Sequence, residues 1–424
     1  MLDIKYIRAN AEVVKAAVKN KNLIGTVDID RLLTVDEEMR KISTQLDELR
    51  SQRNILDDQI KSAKSQEERM PAIEKATALK PQIQELEAKL ADLKPEFDKL
   101  MLWVPNVPAA DVPVADSEEG NVVLYEKGVK PNFDFQPKEH LELAENLGLI
   151  DTKRGAKIAG FRGYFVTGKG MLLEQALLRY ALDFMVEKGF TPMNVPIMVD
   201  KKWLTGTGYF PWGEDDHYYT QDNEGLVGTA EVSLTAYYAD EVLEEKDLPI
   251  KLAGLSTCFR REVGSHGKDT KGVFRVHTFN KVEQVVLAVA DEDETRKLHD
   301  QMRDYAEQIL QGLGLHYHVL LMCTGDMGAG QRKKYDIETW FPGQNKFRET
   351  HSDSYFLDFQ ARRLNMRYRT KSGELKYVYT LNNTVAATPR LLAAVIENYQ
   401  QADGSIVVPE VLRKYTGFDV IEAK

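Results

Sequence analysis

Thr257–Gln284, TCFRREVGSHGKDTKGVFRVHTFNKVEQ, decides how the rest of the chain is read. Two strand-like stretches flank a flexible loop punctuated by Gly264, Gly267 and Gly272. Arg260 falls on the outgoing strand, where a planar guanidinium can grip a phosphate through two parallel hydrogen bonds. Glu262 lies two residues on, so a regular strand puts it on the same side. On the return, Arg275, His277, Phe279, Lys281 and Glu283 alternate with Val276, Thr278, Asn280 and Val282. That face carries no core-forming pattern, and it is wasteful unless it binds something.

The 424 residues are enough for two or three domains with a large core, and 43% hydrophobic with 29% charged residues is the balance of an ordinary soluble protein. The start, MLDIKYIRANAEVVKAAVKNKN, mixes charge throughout and has no apolar leader segment. No run approaches the ~20 apolar residues that cross a bilayer, so a membrane is not an expected partner. Cys258 and Cys323 lack metal-ligand spacing and are too few for a disulfide framework, which fits a reducing cytoplasm. A net charge of −10 argues against a generic nucleic-acid binder. Local pattern can outweigh that total: Arg362, Arg363, Arg367, Arg369 and Lys371 form a cationic run that is either a solvated, internally paired face or a phosphate contact.

Upstream, apolar residues recur in alternating steps of three and four at Leu32, Val35, Met39, Ile42, Leu46, Leu49, Leu56 and Ile60. After a polar turn near Ser65–Pro71 a second seam runs through Ile73, Ala76, Leu79, Ile83, Leu86, Leu90, Leu93, Phe97 and Leu100. Two such helices joined by a short connection fold back as an antiparallel coiled-coil hairpin, an arm on the order of 50 Å at ~1.5 Å per residue. Pro81 and Pro95 count against a straight second helix. Pro105, Pro108, Pro113 and Pro131 give the next stretch a linker's character. The expected division is an arm domain over 1–104, a linker over 105–137 and a larger domain over 138–424. Beyond the linker, strands and helices mix without βαβ alternation and without GxGxxG or GxxxxGK[ST], so a nucleotide site there is neither Rossmann nor P-loop. A long amphipathic helix from Met171 to about Lys188 precedes a strand, TPMNVPIMV, whose Pro196 suits an edge or interface.

The opening stretch resembles motif 2 of the class II aminoacyl-tRNA synthetases, and its detail (FRxE, GSxGxDTxG, RVHxFxKVE) is similar to the seryl-tRNA synthetase family. The helix and strand from Met171 resemble motif 1, the dimer-forming element, and TLNNTVAATPRLLAAVIENYQ resembles motif 3. Thr205–Thr220 looks like the family's GTG loop with its downstream acidic cluster. The resemblance covers nearly the whole chain. It implies an α+β fold: an N-terminal antiparallel helical hairpin, then a class II catalytic domain with an antiparallel sheet flanked by helices. It further implies activation of L-serine with ATP to seryl-adenylate and transfer of serine to tRNA(Ser), tRNA(Sec) being left open as a second acceptor. Mg²⁺ is the implied cofactor, a homodimer the implied assembly and the cytoplasm the implied compartment.

Residue roles follow from the same resemblance. Arg260, Arg390 and Glu349 are the implied catalytic residues, with Arg260 on the α-phosphate and Arg390 on the γ-phosphate. Serine falls to Thr229, Ala230, Glu231, Arg275, Glu283, Asn382 and Thr384. ATP falls to Arg260, Arg261, Glu262, Phe279, Glu349, Thr350, His351, Ser352 and Arg390, with Phe279 stacking on adenine. Glu349 and Ser352 are the implied Mg²⁺ ligands, since a hard cation takes oxygen donors and keeps waters and phosphates in its shell. Read alone, Thr229-x-Glu231 is a helix cap. The chain departs from the family in two places. Ser352-Asp353-Ser354-Tyr355 stands where the family has Ser-Cys-Ser-Asn, and Asn382-Asn383-Thr384 stands where it has Asn-Gly-Ser. Asp353 is expected either to add negative charge near the metal or to face solvent. The arm is implied to grip the long variable arm of tRNA(Ser), reading shape and phosphate. Acids outnumber bases between Asp30 and Trp103, so Arg50, Arg53, Lys61 and Lys64 are the candidate contacts. Two rivals differ in class. A non-catalytic RNA binder is expected to have lost Arg260, Glu283, Glu349 or Arg390, and a ligase charging a carrier protein to lack the arm; all four residues and the arm's seams are present.

Overall fold

A computed structural model describes residues 1–263 and 272–423. The loop glycines Gly264 and Gly267 lie outside those residues. The chain forms two compact units, one made of Leu2–Lys19 with Leu23–Pro105 and the other of Asn106–Lys424 with Met1 and Asn20–Asn22.

The first unit is dominated by α1 (Ile29–Ser62) and α2 (Gln66–Leu102), packed antiparallel. Leu32, Val35 and Leu46 on α1 meet a seam that includes Ile83 and Met101 on α2, all buried, while Met39, Ile42, Leu49, Leu86, Leu90 and Phe97 are half-buried. The heptad stripe is therefore the packed face. Arg31 reaches across to Glu96 at 2.7 Å and Arg50 to Glu87 at 2.8 Å, flanking that seam. The turn is tighter than the expected Ser65–Pro71. It occupies Ala63–Ser65, because Ser65 accepts from the Glu68 amide at 3.2 Å and starts α2 at once. Pro71, Pro81 and Pro95 all lie inside α2. Near the tip the seam slips by one residue, so Ala72 is buried and Ile73 is 39% exposed.

The second unit is built on an eight-stranded sheet: β1 (Val122–Lys127), β2 (Thr191–Asn194), β3 (Ile250–Phe259), β4 (Thr278–Ala288), β5 (Tyr317–Leu321), β6 (Lys333–Phe341), β7 (Lys346–Leu357) and β8 (Tyr379–Ala387). Its spatial order is β1-β5-β6-β7-β8-β4-β3-β2, antiparallel throughout except for the parallel pair β2 and β3 at one edge. The segment expected as a linker, 105–137, contributes β1, which pairs with β5. The long helix is α3 (Lys169–Glu187), and the strand after it ends before Pro196; Pro192 is the proline within β2, an edge strand where a missing donor is tolerated.

Alternation sorts side chains to two faces. Behind the sheet, Val282, Val286 and Ala288 of β4 pack with Ile337, Tyr355 and Leu381 against α3, α5 (Glu292–Gly312) and α7 (Arg390–Asn398). In front, Val285 and Leu287 pack with Leu252 and Val378 against α4 (Glu231–Thr235) and α6 (Phe359–Arg363). The front-facing residues of β4 thus change character along its length. Phe279, Lys281 and Glu283 come first, then Val285 and Leu287. Core fills one half of the front face and leaves the other half for a site.

Candidate active site

That free half is a cavity of about 260 Å³ floored by β4, β7 and β8. Phe279, Lys281 and Glu283 line it from β4. Glu349, Thr350 and Ser352 line it from β7, and Asn382, Thr384 and Ala387 from β8. Residues 349 and 352 have opposite parity and would face opposite ways on a regular strand. They share the cleft because β7 has a bulge: His351 pairs with Ile337 and Glu349 with Glu338, leaving Thr350 as the extra residue. A second bulge on β8 does the same, with Thr384 paired to Glu283, Ala386 to Val282 and Val385 between them unpaired. His351 ties the two bulges together from behind. Its Nδ1 lies 2.9 Å from Thr350 Oγ1 and its Nε2 3.1 Å from the Val385 carbonyl. Burial holds this imidazole down to about 4, so it stays neutral with one N–H donated and one nitrogen accepting.

At one side of the cleft, burial lifts the Glu231 carboxyl to about 7. Tyr209 Oη donates to its Oε2 at 2.6 Å and Gln360 Nε2 to its Oε1 at 2.8 Å, while Glu283 adds repulsion. Gln360 is fixed in turn by the Thr380 hydroxyl at 2.6 Å. Burial also raises Glu283, against the pull of Lys281, its ion-pair partner. Gly254 stands opposite Glu283, and a Cβ there would come within 2.9 Å of Leu234 and 3.1 Å of Ala230. Its lack of a side chain lets α4, and with it Glu231, sit directly on the sheet.

Elsewhere in the cleft cations gather. Arg390 donates to the Glu349 carbonyl at 3.0 Å and to its carboxylate at 3.1 Å. Burial alone would raise Glu349, but Arg390, Lys334 and Arg260 outweigh it and hold it at about 2, firmly ionised. Asp336, beneath, is pushed up by burial and by Glu349 despite Lys334 at 2.9 Å. Arg260 lies with its guanidinium 5.2 Å from the centre of the Phe279 ring, a cation held against the face that could stack a base. The arrangement offers an anionic pocket for an ammonium group, cations for phosphates, and an aromatic face for a ring.

Of the residues singled out from sequence, Arg260, Glu262, Phe279, Glu349, Thr350, Ser352 and Arg390 line this cleft, as do Glu231, Glu283, Asn382 and Thr384. Thr229, Ala230, Arg261, Arg275 and His351 do not. Thr229 is buried and accepts from the Glu231 amide at 3.2 Å in a local turn ahead of α4, whose N-cap is Ala230 rather than the threonine that the sequence suggests. Ala230 packs into the front core. Arg261 donates to the Asp215 carbonyl at 2.9 Å, so the acidic cluster of the Thr205–Thr220 segment anchors the start of the motif-2 loop. β3 ends at Phe259 and Glu262 takes a left-handed φ of 57°, which voids the same-side argument. Glu262 instead meets Arg275, at 3.1 Å, ahead of the first residue of β4. Asp353 is fully buried behind the sheet, neither solvent-facing nor in the cleft. Arg363 is half-buried and donates to the Thr205 and Phe210 carbonyls, and Arg362 pairs with Asp358 at 2.7 Å, so these two belong to internal pairing. Sequence reasoning missed Tyr209, Lys334 and Gln331 in the lining, and Gln360 behind it. A signal existed for Lys334: KKYDIE alternates Lys334 and Asp336 with core residues Tyr335 and Ile337.

Comparison with known proteins agrees with this geometry. Residues 1–108 match the model of the seryl-tRNA synthetase N-terminal domain, and 215–399 that of the tRNA synthetase class II core domain (G, H, P, S and T). A serine–tRNA ligase of Deinococcus radiodurans is 43% identical over 418 residues, covering 98% of both chains. The crystal structure of Pyrococcus horikoshii seryl-tRNA synthetase complexed with ATP superposes with a TM-score of 0.94 at 39% identity over the whole of both chains. That of the cytoplasmic serine–tRNA ligase of Naegleria fowleri with AMP gives 0.89 at 31% identity, over 100% of this chain and 99% of that one. From the arm's seams to the motif-bearing strands, and along its full length, the chain belongs to the seryl-tRNA synthetase family of class II aminoacyl-tRNA ligases.

Proposed function

We propose that the cleft binds L-serine and ATP together, forms seryl-adenylate, and passes serine to tRNA(Ser). The observation that carries this is the division of one cleft between the Glu231 and Glu283 carboxyls and the cations Arg260, Lys334 and Arg390. A serine carboxylate oxygen attacks the α-phosphorus; the new O–P bond forms as the bond to pyrophosphate breaks, and no protein nucleophile is consumed. Catalysis is positioning and charge stabilisation. Arg260 holds the α-phosphate and Arg390 the γ-phosphate. Phe279 stacks on adenine and Glu262 meets its polar edge. Glu231 and Glu283 receive the amino and hydroxyl groups of serine, and Asn382 and Thr384 complete the pocket. Thr229 and Ala230 act through the placement of Glu231, and Arg275 through Glu262.

Glu349 and Ser352 fit a magnesium ion: the bulge brings a firmly ionised carboxylate and a hydroxyl to one side of a phosphate-binding cleft. Mg²⁺ held there neutralises phosphate charge. Exposed apolar residues at Ile158, Phe161, Phe165, Met171 and Leu172, in and beside the N-terminal end of α3, support a homodimer through motif 1. Cys258 and Cys323 are free and buried, which suits the cytoplasm, and among the described residues no helix is long and apolar enough to cross a membrane. Pyrophosphate exchange into ATP tests the activity: the account expects exchange with serine and, across a panel of amino acids, at least ~10⁴-fold less with alanine, which leaves the pocket's polar groups unpaired. Comparable exchange with alanine would refute the assignment of the pocket.

A further inference from the structure

Asp353, Asn383 and Gln284 form one polar row across the back of the sheet. Asp353 on β7 is in register with Asn383 on β8, and Asn383 with Gln284 on β4. All three are fully buried. Their neighbours in sequence, Ser352, Asn382, Thr384 and Glu283, emerge on the front and line the cleft. Helix α5 closes the row from behind. The Met302 carbonyl accepts from Gln284 Nε2 at 3.1 Å and from Asn383 Nδ2 at 3.0 Å. His299 Nε2 stands 3.3 Å from Asp353 Oδ2, its ring stacked on Tyr335 at a centroid distance of 4.8 Å.

The row is not closed by these bonds. Among the described residues, Gln284 Oε1, Asn383 Oδ1 and both Asp353 oxygens lack a hydrogen-bond partner, and so does His299 Nε2. Each primary amide carries two N–H groups and has committed one of them to Met302. Each amide therefore keeps one N–H uncommitted in a row whose acceptors are open as well. Groups this deeply buried are expensive to leave unpaired.

We propose that Asp353 and Asn383 are coupled positioning residues, whose in-register packing between β7 and β8 under α5 fixes the local alignment of the two strands and thereby the placement of Ser352, Asn382 and Thr384 on the front. This rests on the reading of the cleft as the serine site. Neither residue touches substrate; both act through the strands that carry those that do.

A double-mutant cycle on the full-length protein tests it, read as KM for serine, KM for ATP and kcat in pyrophosphate exchange, and as melting temperature. Asp353→Cys and Asn383→Gly each leave the other buried polar side chain without its in-register neighbour, and each is expected to raise KM for serine about tenfold, within the usual range for contacting residues, with KM for ATP nearly unchanged. The double variant removes the pair and is expected to return to within a few fold of wild type. Asp353→Asn, which keeps the shape and one acceptor, should retain most of the activity. Additive effects on KM for serine would overturn the proposal, and so would coupling confined to melting temperature, which marks a merely structural pair. An inactive wild-type protein would instead overturn the reading of the cleft, and the positioning claim with it, whereas an active wild type with additive KM effects sinks the positioning claim alone.

Discussion

The arm and the sheet are both regular structures, yet they relate to sequence in opposite ways. In α1 and α2 each heptad position finds its place from neighbours three and four residues away, so the packed face is written locally. In the sheet, the cleft depends on two extra residues, Thr350 and Val385, that shift which side chains face forward. A helix pair tolerates Pro71, Pro81 and Pro95 within one of its members. The site tolerates no such slip, because displacing a strand by one residue exchanges its two faces. One region is robust and repetitive, the other singular, and the division we propose follows the same line: the arm for RNA, the sheet for chemistry.

The sharpest way to break that division is to remove one region. Deleting Asp30 to Leu100 and closing the gap with a short Gly/Ser linker should leave serine-dependent exchange within a few fold while abolishing charging of tRNA(Ser). Unchanged tRNA affinity after the deletion would take RNA binding away from the arm. The candidate contacts are only lightly engaged. Arg50 pairs with Glu87, Arg53 lies 3.9 Å from Asp57, and Lys61 lies 3.1 Å from Asp58, all solvent-exposed pairs of small energetic weight that leave the cations able to turn to phosphate.

Within the sheet, single cations come next. Arg260→Ala and Arg390→Ala should each lower adenylate formation by at least ~10²-fold, the usual loss on removing one preorganised charge-stabilising donor. The loss of Arg390 also frees Glu349. A variant of either that activates serine at the wild-type rate would make that arginine structural.

How far the sequence leads can be followed residue by residue. The seams are legible from Leu32 to Ile60 and from Ala76 to Leu100 because helical periodicity is local, whereas the turn and the slip at Ala72 depend on where the Ser65 cap starts α2. On β4, Phe279, Lys281 and Glu283 alternate regularly and were legible, whereas Arg275 and His277 precede the strand and escape its parity. Glu349 and Ser352 were paired by resemblance alone, since no spacing rule puts positions three apart on one side of a strand. Tyr209 and Gln360 reach Glu231 across 22 and 129 residues, a separation that no local pattern encodes. The same holds for Asp353, whose surroundings come from three strands and a helix.

His351 sharpens this contrast at an intermediate scale. His351→Ala removes the link between the bulges and should lower stability by about 1–3 kcal/mol, the cost of leaving buried partners unpaired, with a drop in exchange activity as Glu349 and Thr384 lose their fixed placement. Denaturant melts alongside exchange assays check it. Full stability and activity would mean that the bulges hold without the imidazole.

The smallest effect is one of pH. With the Glu231 carboxyl lifted to about 7 by burial, protons neutralise it below that value and remove the counter-charge for the serine ammonium. KM for serine should therefore rise as pH falls through about 7 and level off above it, while Glu349, held at about 2, stays ionised throughout. Glu231→Gln should flatten that dependence. A wild-type profile that is already flat would detach Glu231 from the amino group.

The central claim is that the front of β4 recognises serine, and Glu283, buried where β3, β4 and β8 meet, tests it most directly. Serine-dependent pyrophosphate exchange measured on folded Glu283→Ala, with its fold checked by circular dichroism and melting, should fall to background. Exchange near the wild-type level in that folded variant would contradict the account.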